Sequence, residues 1–139
     1  MTIPTDVKRA IIGAAIDAIG SLLPIKVMGR TFSVPNDQKY IEILLFTDDN
    51  ANETWGNDQM FSGILRLILH WPIDDQGIYG PSEIMDTLTA KFPKGRIITR
   101  NLVRLMINDN PRAQDPIENT NDIEYPATIA YQFFYAPTT

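Results

Sequence analysis

The chain has no cysteine. That absence removes a disulfide scaffold, a thiolate zinc site, an iron–sulfur cluster and a cysteine nucleophile together, and it fits a reducing compartment. Histidine is nearly missing as well, with His70 alone, so a metal centre built on several imidazoles is excluded. Positive charge is in short supply. Twelve Lys and Arg stand against seventeen Asp and Glu, leaving −5, whereas a dedicated nucleic-acid binder draws most of its affinity from an excess of cations. Long apolar runs are absent too: the longest, Ala10 to Ile16, includes a glycine, and a bilayer span needs about 20 such residues. Met1-Thr2-Ile3-Pro4 lacks the basic start and apolar stretch of a secretory leader. None of the eight glycines belongs to a GxxxxGK[ST] or GxGxxG phosphate cradle.

What is present is a chain of 139 residues, 44% hydrophobic and 21% charged. That suits one domain burying roughly two-thirds of its unfolded surface, with no need of cross-links. Thr5 to Leu22 predicts a first helix, with Thr5 as N-cap and Asp6 in the positive first turn. Val7, Ile11, Ala14, Ala15, Ala18 and Leu22 form its apolar stripe, widened by Ile12, Ile16 and Ile19, and Pro24 closes it. Ile25–Met28 and Thr31–Val34 predict two short strands around Gly29-Arg30, and Lys39–Phe46 a longer one. Thr47 to Asp58 is polar and aperiodic, hence a loop.

Gln59 to Trp71 carries the clearest strand signal. Phe61, Gly63, Leu65, Leu67, Leu69 and Trp71 share one face, and Ser62, Ile64, Arg66, Ile68 and His70 the other. Pro72 ends it. A second helix starts at Pro81, continues through Ile84, Leu88 and Phe92, and stops at Pro93-Lys94-Gly95. Arg96–Asn108 and Ile123–Tyr135 predict two more long strands joined by a polar loop, Asn110 to Asp122. In the last strand Ile123, Tyr125, Ala127, Ile129, Tyr131, Phe133 and Tyr135 lie on one side. Pro126 puts the strand's first residues at an edge, or unpaired until Ala127. The sum is an α+β fold: two helices packed on a mainly antiparallel, twisted β-sheet, in a single domain spanning residues 1–139.

Candidate chemistry is sparse. His70 sits inside an alternating strand beside Trp71, where a structural or surface histidine is the better reading, although a single-histidine site with Asp74 or Asp75 stays open. An EF-hand loop beginning at Asp48 has Asn50 and Asn52 in place. It fails at Glu53, where glycine is needed, and at Gln59, where a bidentate carboxylate is needed. No catalytic residue, metal site or cofactor is assigned. The acidic loop, with Asp48, Asp49, Glu53, Trp55 and Asp58, is instead a candidate partner-facing surface.

Charge is distributed unevenly along the C-terminal half. Lys91, Lys94, Arg96, Arg100 and Arg104 occur without an acid among them, and Asp109, Asp115, Glu118, Asp122 and Glu124 follow with Arg112 alone. On one continuous strand Arg96, Arg100 and Arg104 would share a face. Two readings stand. The face is simply solvated, or a basic patch of Arg96, Arg100 and Arg104 meets the acidic patch of Asp109, Asp115 and Glu118 on an identical neighbour in a head-to-tail contact.

The layout as a whole resembles the tail terminator (tail completion) proteins of long-tailed bacteriophages. The likeness runs from Asp6-Val7-Lys8-Arg9-Ala10-Ile11-Ile12 and Leu22-Leu23-Pro24 through Tyr40-Ile41-Glu42-Ile43 and Phe61-Ser62-Gly63-Ile64-Leu65. It continues to Lys91-Phe92-Pro93-Lys94-Gly95 and closes on Tyr131-Gln132-Phe133-Phe134-Tyr135. The long loop between Asp48 and Asp58 is a departure.

The resemblance implies a structural virion protein: a homo-oligomer, a hexameric ring, seated on the head-proximal end of the tail tube and assembled in the host cytoplasm. It implies the tail tube protein and a head-completion or connector protein as partners. Double-stranded DNA would pass through the lumen without specific binding, with no membrane and no enzymatic step. Another neck component, such as a head–tail joining protein, is the alternative.

Overall fold

The computed structural model describes residues 3–47, 59–74, 76–100 and 103–135. Its elements are α1 (Ile3–Ile19), β1 (Ile25–Val27), β2 (Tyr40–Thr47), β3 (Gln59–Pro72), α2 (Tyr79–Ala90), β4 (Ile97–Arg100), β5 (Val103–Ile107), β6 (Arg112–Ala113), β7 (Ile117–Glu118) and β8 (Asp122–Tyr135). The expected α+β class holds. The strands form one curled, mostly antiparallel sheet in the order β1-β2-β3-β8-β5-β4, with β6 and β7 also on β8.

The sheet is organised by β3 and β8, which pair along their whole length, from Gln59↔Tyr135 to Pro72↔Asp122. Strict alternation in both strands puts Leu65, Leu67 and Leu69 beside Ile129, Ala127 and Tyr125, all buried. Ile41 and Ile43 of β2 extend this layer at Leu69 and Leu67, as does Ile107 of β5 opposite Tyr131. Val7, Ala10, Ile11, Ala14, Ala15 and Ile19 of α1 and Met85 and Leu88 of α2 close over it in a single cluster. The side-chain faces expected of Phe61 and Tyr135 lie outside the described residues.

The other face of the sheet is built from the alternate residues. Register aligns Tyr40–His70–Glu124, Glu42–Ile68–Pro126, Leu44–Arg66–Thr128 and Phe46–Ile64–Ala130 across β2, β3 and β8. It changes from charged at one end to apolar at the other, where Phe46 is 52% and Ile64 40% exposed.

Several boundaries differ from the sequence expectation. α1 begins two residues before Thr5, so Thr5 is inside the helix rather than its cap. It ends at Gly20, whose φ of 58° is the left-handed conformation that stops a helix, and Gly20 N donates to Ile16 O at 2.8 Å. Leu22 is therefore no part of the stripe and is exposed. α2 begins at Tyr79, two residues before Pro81, and ends before Phe92, which is fully buried beyond the helix.

Thr31–Val34 forms no strand. After a turn at Gly29, with φ of 85°, the chain crosses to β2, which pairs with β1 in parallel from Ile25↔Ile41 to Val27↔Ile43. The reason is burial. Ile41 and Ile43 anchor the core from β2, whereas Val34 remains exposed and Phe32 makes a tilted ring contact with Tyr40, centroids 5.1 Å apart.

The expected strand Arg96–Asn108 is a hairpin. β4 folds back on β5 with Ile97↔Met106, Ile98↔Leu105, Thr99↔Arg104 and Arg100↔Val103. The expected loop from Asn110 to Asp122 is not wholly irregular. β6 and β7 resume the ladder on β8 at Arg112↔Thr128 and Ile117↔Glu124, so β5, β6 and β7 follow one edge of β8 as an interrupted strand. Pro126 is consequently interior, opposite Ile68 on its other side. Its carbonyl accepts from Gln114 N at 2.9 Å, so its nitrogen faces the same edge, between β6 and β7, where the missing N–H interrupts no β-ladder pair.

Candidate interaction surfaces

The hairpin redistributes the three arginines expected on one face. Arg100 is opposite Val103, on the core side of the sheet, and Arg104 is opposite Thr99, on the other side. A two-stranded turn resets the parity that even spacing predicts for one continuous strand. Arg96 joins neither as a free patch: its guanidinium lies 5.0 Å from the Phe92 ring and donates to Lys91 O at 2.6 Å. Arg100 extends under α1, where a Cβ on Gly13 would be 3.8 Å from its Nη1.

Two adjoining clefts flank α1. One, of 290 Å³, runs between α1 and β4 and is lined by Arg9, Asp17, Arg96 and Arg100 among others. The second, of 430 Å³, includes Lys8, Arg9, Arg30 and Arg100. They share Arg9, Gly13 and Arg100. Nearby, Lys91 Nζ donates to Ala18 O at 2.7 Å, placing a cation at the negative end of α1.

The expected acidic residues occupy the interrupted strand beside β8. Asp109, Asp115 and Glu118 are exposed, and Asp109 pairs with Arg112 at 3.6 Å. Asp122 and Glu124 turn elsewhere, toward His70. The candidate loop residues Asp48, Asp49, Glu53, Trp55 and Asp58 lie outside the described residues, as does Asp75.

Among the described residues, His70 is the buried polar group on the open face of the sheet, 7% exposed. Its Nε2 is 3.0 Å from Glu42 Oε1 and donates to it when that nitrogen carries the proton. Nδ1 faces Asp122 at 3.6 Å and Glu124 at 4.0 Å, and the ring stacks on Tyr40 at 4.3 Å. Asp74 is not a partner of His70; it accepts from Gln76 N at 2.9 Å. Burial pushes the Tyr40 hydroxyl pKa up, and Glu42, Asp122 and Glu124 push it further. Burial does the same at Tyr125, helped by Asp74. Among the described residues, no group of three or more His, Asp or Glu is arranged to hold a metal ion. Sequence reasoning missed this cluster because its members come from three strands. Only the pairing of Tyr40 with His70 and of His70 with Glu124 brings them together.

A family model described as "Phage tail terminator protein" matches residues 7–131. The chain belongs to that family. The match covers both helices and almost the whole sheet, so the fold and the family membership rest on the same residues. Fourteen solved chains match the structure. One superposes with a TM-score of 0.76 over 98% of this chain and 96% of its own, at 17% identity, a likeness of fold alone. No curated protein sequence matches. The family is a structural one of bacteriophages, which makes the chain a virion component that engages tail and head components. Among the described residues, no helix is long and apolar enough to cross a membrane.

Proposed function

We propose that this tail terminator forms a ring on the head-proximal end of the tail tube, ends tube polymerisation and presents the surface to which the head is joined. The supporting observation is the family match across residues 7–131. A tube grows because each added ring exposes the face that the next one needs. A terminator matches that face on one side and withholds it on the other, so its work is done by noncovalent contacts and requires no catalytic group.

The ring has six copies by the resemblance, and its partners are the tail tube protein and a head-completion or connector protein. It assembles in the host cytoplasm. The net charge of −5 lets double-stranded DNA pass without being held by its phosphates. Asp48, Asp49, Glu53, Trp55 and Asp58 belong to the loop proposed to face a partner.

Imaging of particles made without this protein tests the reading. Tails of uncontrolled length, separate from filled heads, are expected. Normal tails joined to heads would overturn it.

A further inference from the structure

We infer that the basic clefts flanking α1 receive the acidic edge of a second copy of this chain, the exposed segment that carries Asp115 and Glu118, so that neighbouring subunits join head to tail. The inference rests on the proposed ring and names the contact that closes it.

The chain carries −5 overall, yet Lys8, Arg9, Arg30, Arg96 and Arg100 gather around two adjoining cavities whose linings include a single acid, Asp17. Of these cations only Arg9 has a carboxylate within ion-pair distance among the described residues, Asp6 at 3.7 Å. Arg100 reaches past Gly13 with no such partner among the described residues. Cations that outnumber the acids around one pair of clefts repel one another, and a partner bearing carboxylates relieves the repulsion.

The complementary surface is on the same polypeptide. Asp109, Asp115 and Glu118 are exposed on a segment already held by β6 and β7 against β8, so little ordering entropy is lost when it docks. Asp115 and Glu118 lie too far along β8 to reach the clefts of their own molecule. β5, the partner of β4, meets β8 at Gln132 and Tyr131, whereas β7 meets it at Glu124 and Ile123. Eight residues of strand at about 3.3 Å each separate the two places by about 26 Å. Distinct, complementary patches on one chain produce a heterologous contact, the type that closes into rings.

Charge reversal tests this, with assembly read by native mass spectrometry and by sedimentation with purified tail tubes. Circular dichroism confirms that each variant is folded. Arg9→Glu with Arg100→Glu, and separately Asp115→Lys with Glu118→Lys, should each weaken assembly by about tenfold or more. All four changes in one chain should recover most of it, whereas Lys94→Glu, outside both linings, should change it by less than about twofold. If the wild type assembles and the reversals leave assembly unchanged, or the fourfold variant is no better than either pair, the contact is overturned while the ring stands. Loss of duplex DNA binding in the arginine variants with assembly intact would overturn it in favour of a nucleic-acid surface. A wild type that stays monomeric even beside tube ends would remove the ring and this contact together.

Discussion

Single residues set the tightest limits. Gly63 lies in β3 where a Cβ would come within 2.5 Å of Phe46 O and 2.6 Å of the Tyr131 hydroxyl. Tyr131 is buried and the carbonyl belongs to a paired strand, so neither can withdraw cheaply. Gly63→Ala should cost about 1–3 kcal/mol in chemical denaturation. Nothing in the alternating pattern of Gln59 to Trp71 announces this, because the crowding comes from two other strands.

Tyr40 makes a second, pH-dependent point. Its hydroxyl holds its proton above the ordinary value of 10.0 through burial, then through Glu42, Asp122 and Glu124. The folded protein therefore binds that proton more strongly than the unfolded chain does. Its contribution is complete below pH 10.0 and is lost as pH rises through the raised folded value. Tyr40→Phe keeps the stacked ring and removes the ionisation, so thermal unfolding followed across the alkaline range should show a shallower loss.

At the scale of elements, local signals succeeded where the apolar period was long and failed where a turn intervened. Both helices and the two long strands were legible because burial enforces their periods. The hairpin inside Arg96–Asn108 was not. Ile97, Ile98, Val103 and Leu105 suit a strand on either side of the reversal, and Asn101-Leu102 is a weak turn signal. The reversal splits the arginines: Arg100 and Arg104 lie on opposite sides of the sheet. The end of α1 was equally decided by one residue. Gly20, with φ of 58°, stops the helix although Ser21-Leu22-Leu23 would continue it acceptably by propensity. Gly20→Ala places a side chain in the left-handed region and should lower stability by about 1 kcal/mol in thermal melts.

The whole molecule depends on β8. It pairs with β3 along one edge and with β5, β6 and β7 along the other, and both helices share a core with it. A chain ending at Asn121 loses the central strand and should show no cooperative unfolding transition by circular dichroism. Since long-range pairing between distant segments has to precede the gain from burial, the full chain should also fold slowly for its size, which stopped-flow refolding would measure. The β4–β5 hairpin and the acidic segment of β6 and β7 follow one another along the same edge of that strand, so the distribution of charge over the surface is a consequence of topology.

The sequence by itself determined that this is an α+β domain without cysteine chemistry or a metal centre of several histidines, and that its element order matches a phage tail terminator. The fold class and the absences follow from composition, period and turn residues, which act locally, whereas the match to a phage tail terminator is a resemblance that the family model bears out. Only the tertiary structure decided which charged side chains share a surface. A hairpin reversal turned Arg100 beneath α1, pairing across three strands enclosed His70 among carboxylates, and β6 and β7 fixed the acidic segment against β8. Side-chain neighbours in a sheet are set by register between distant strands, and register is a property of the assembled core.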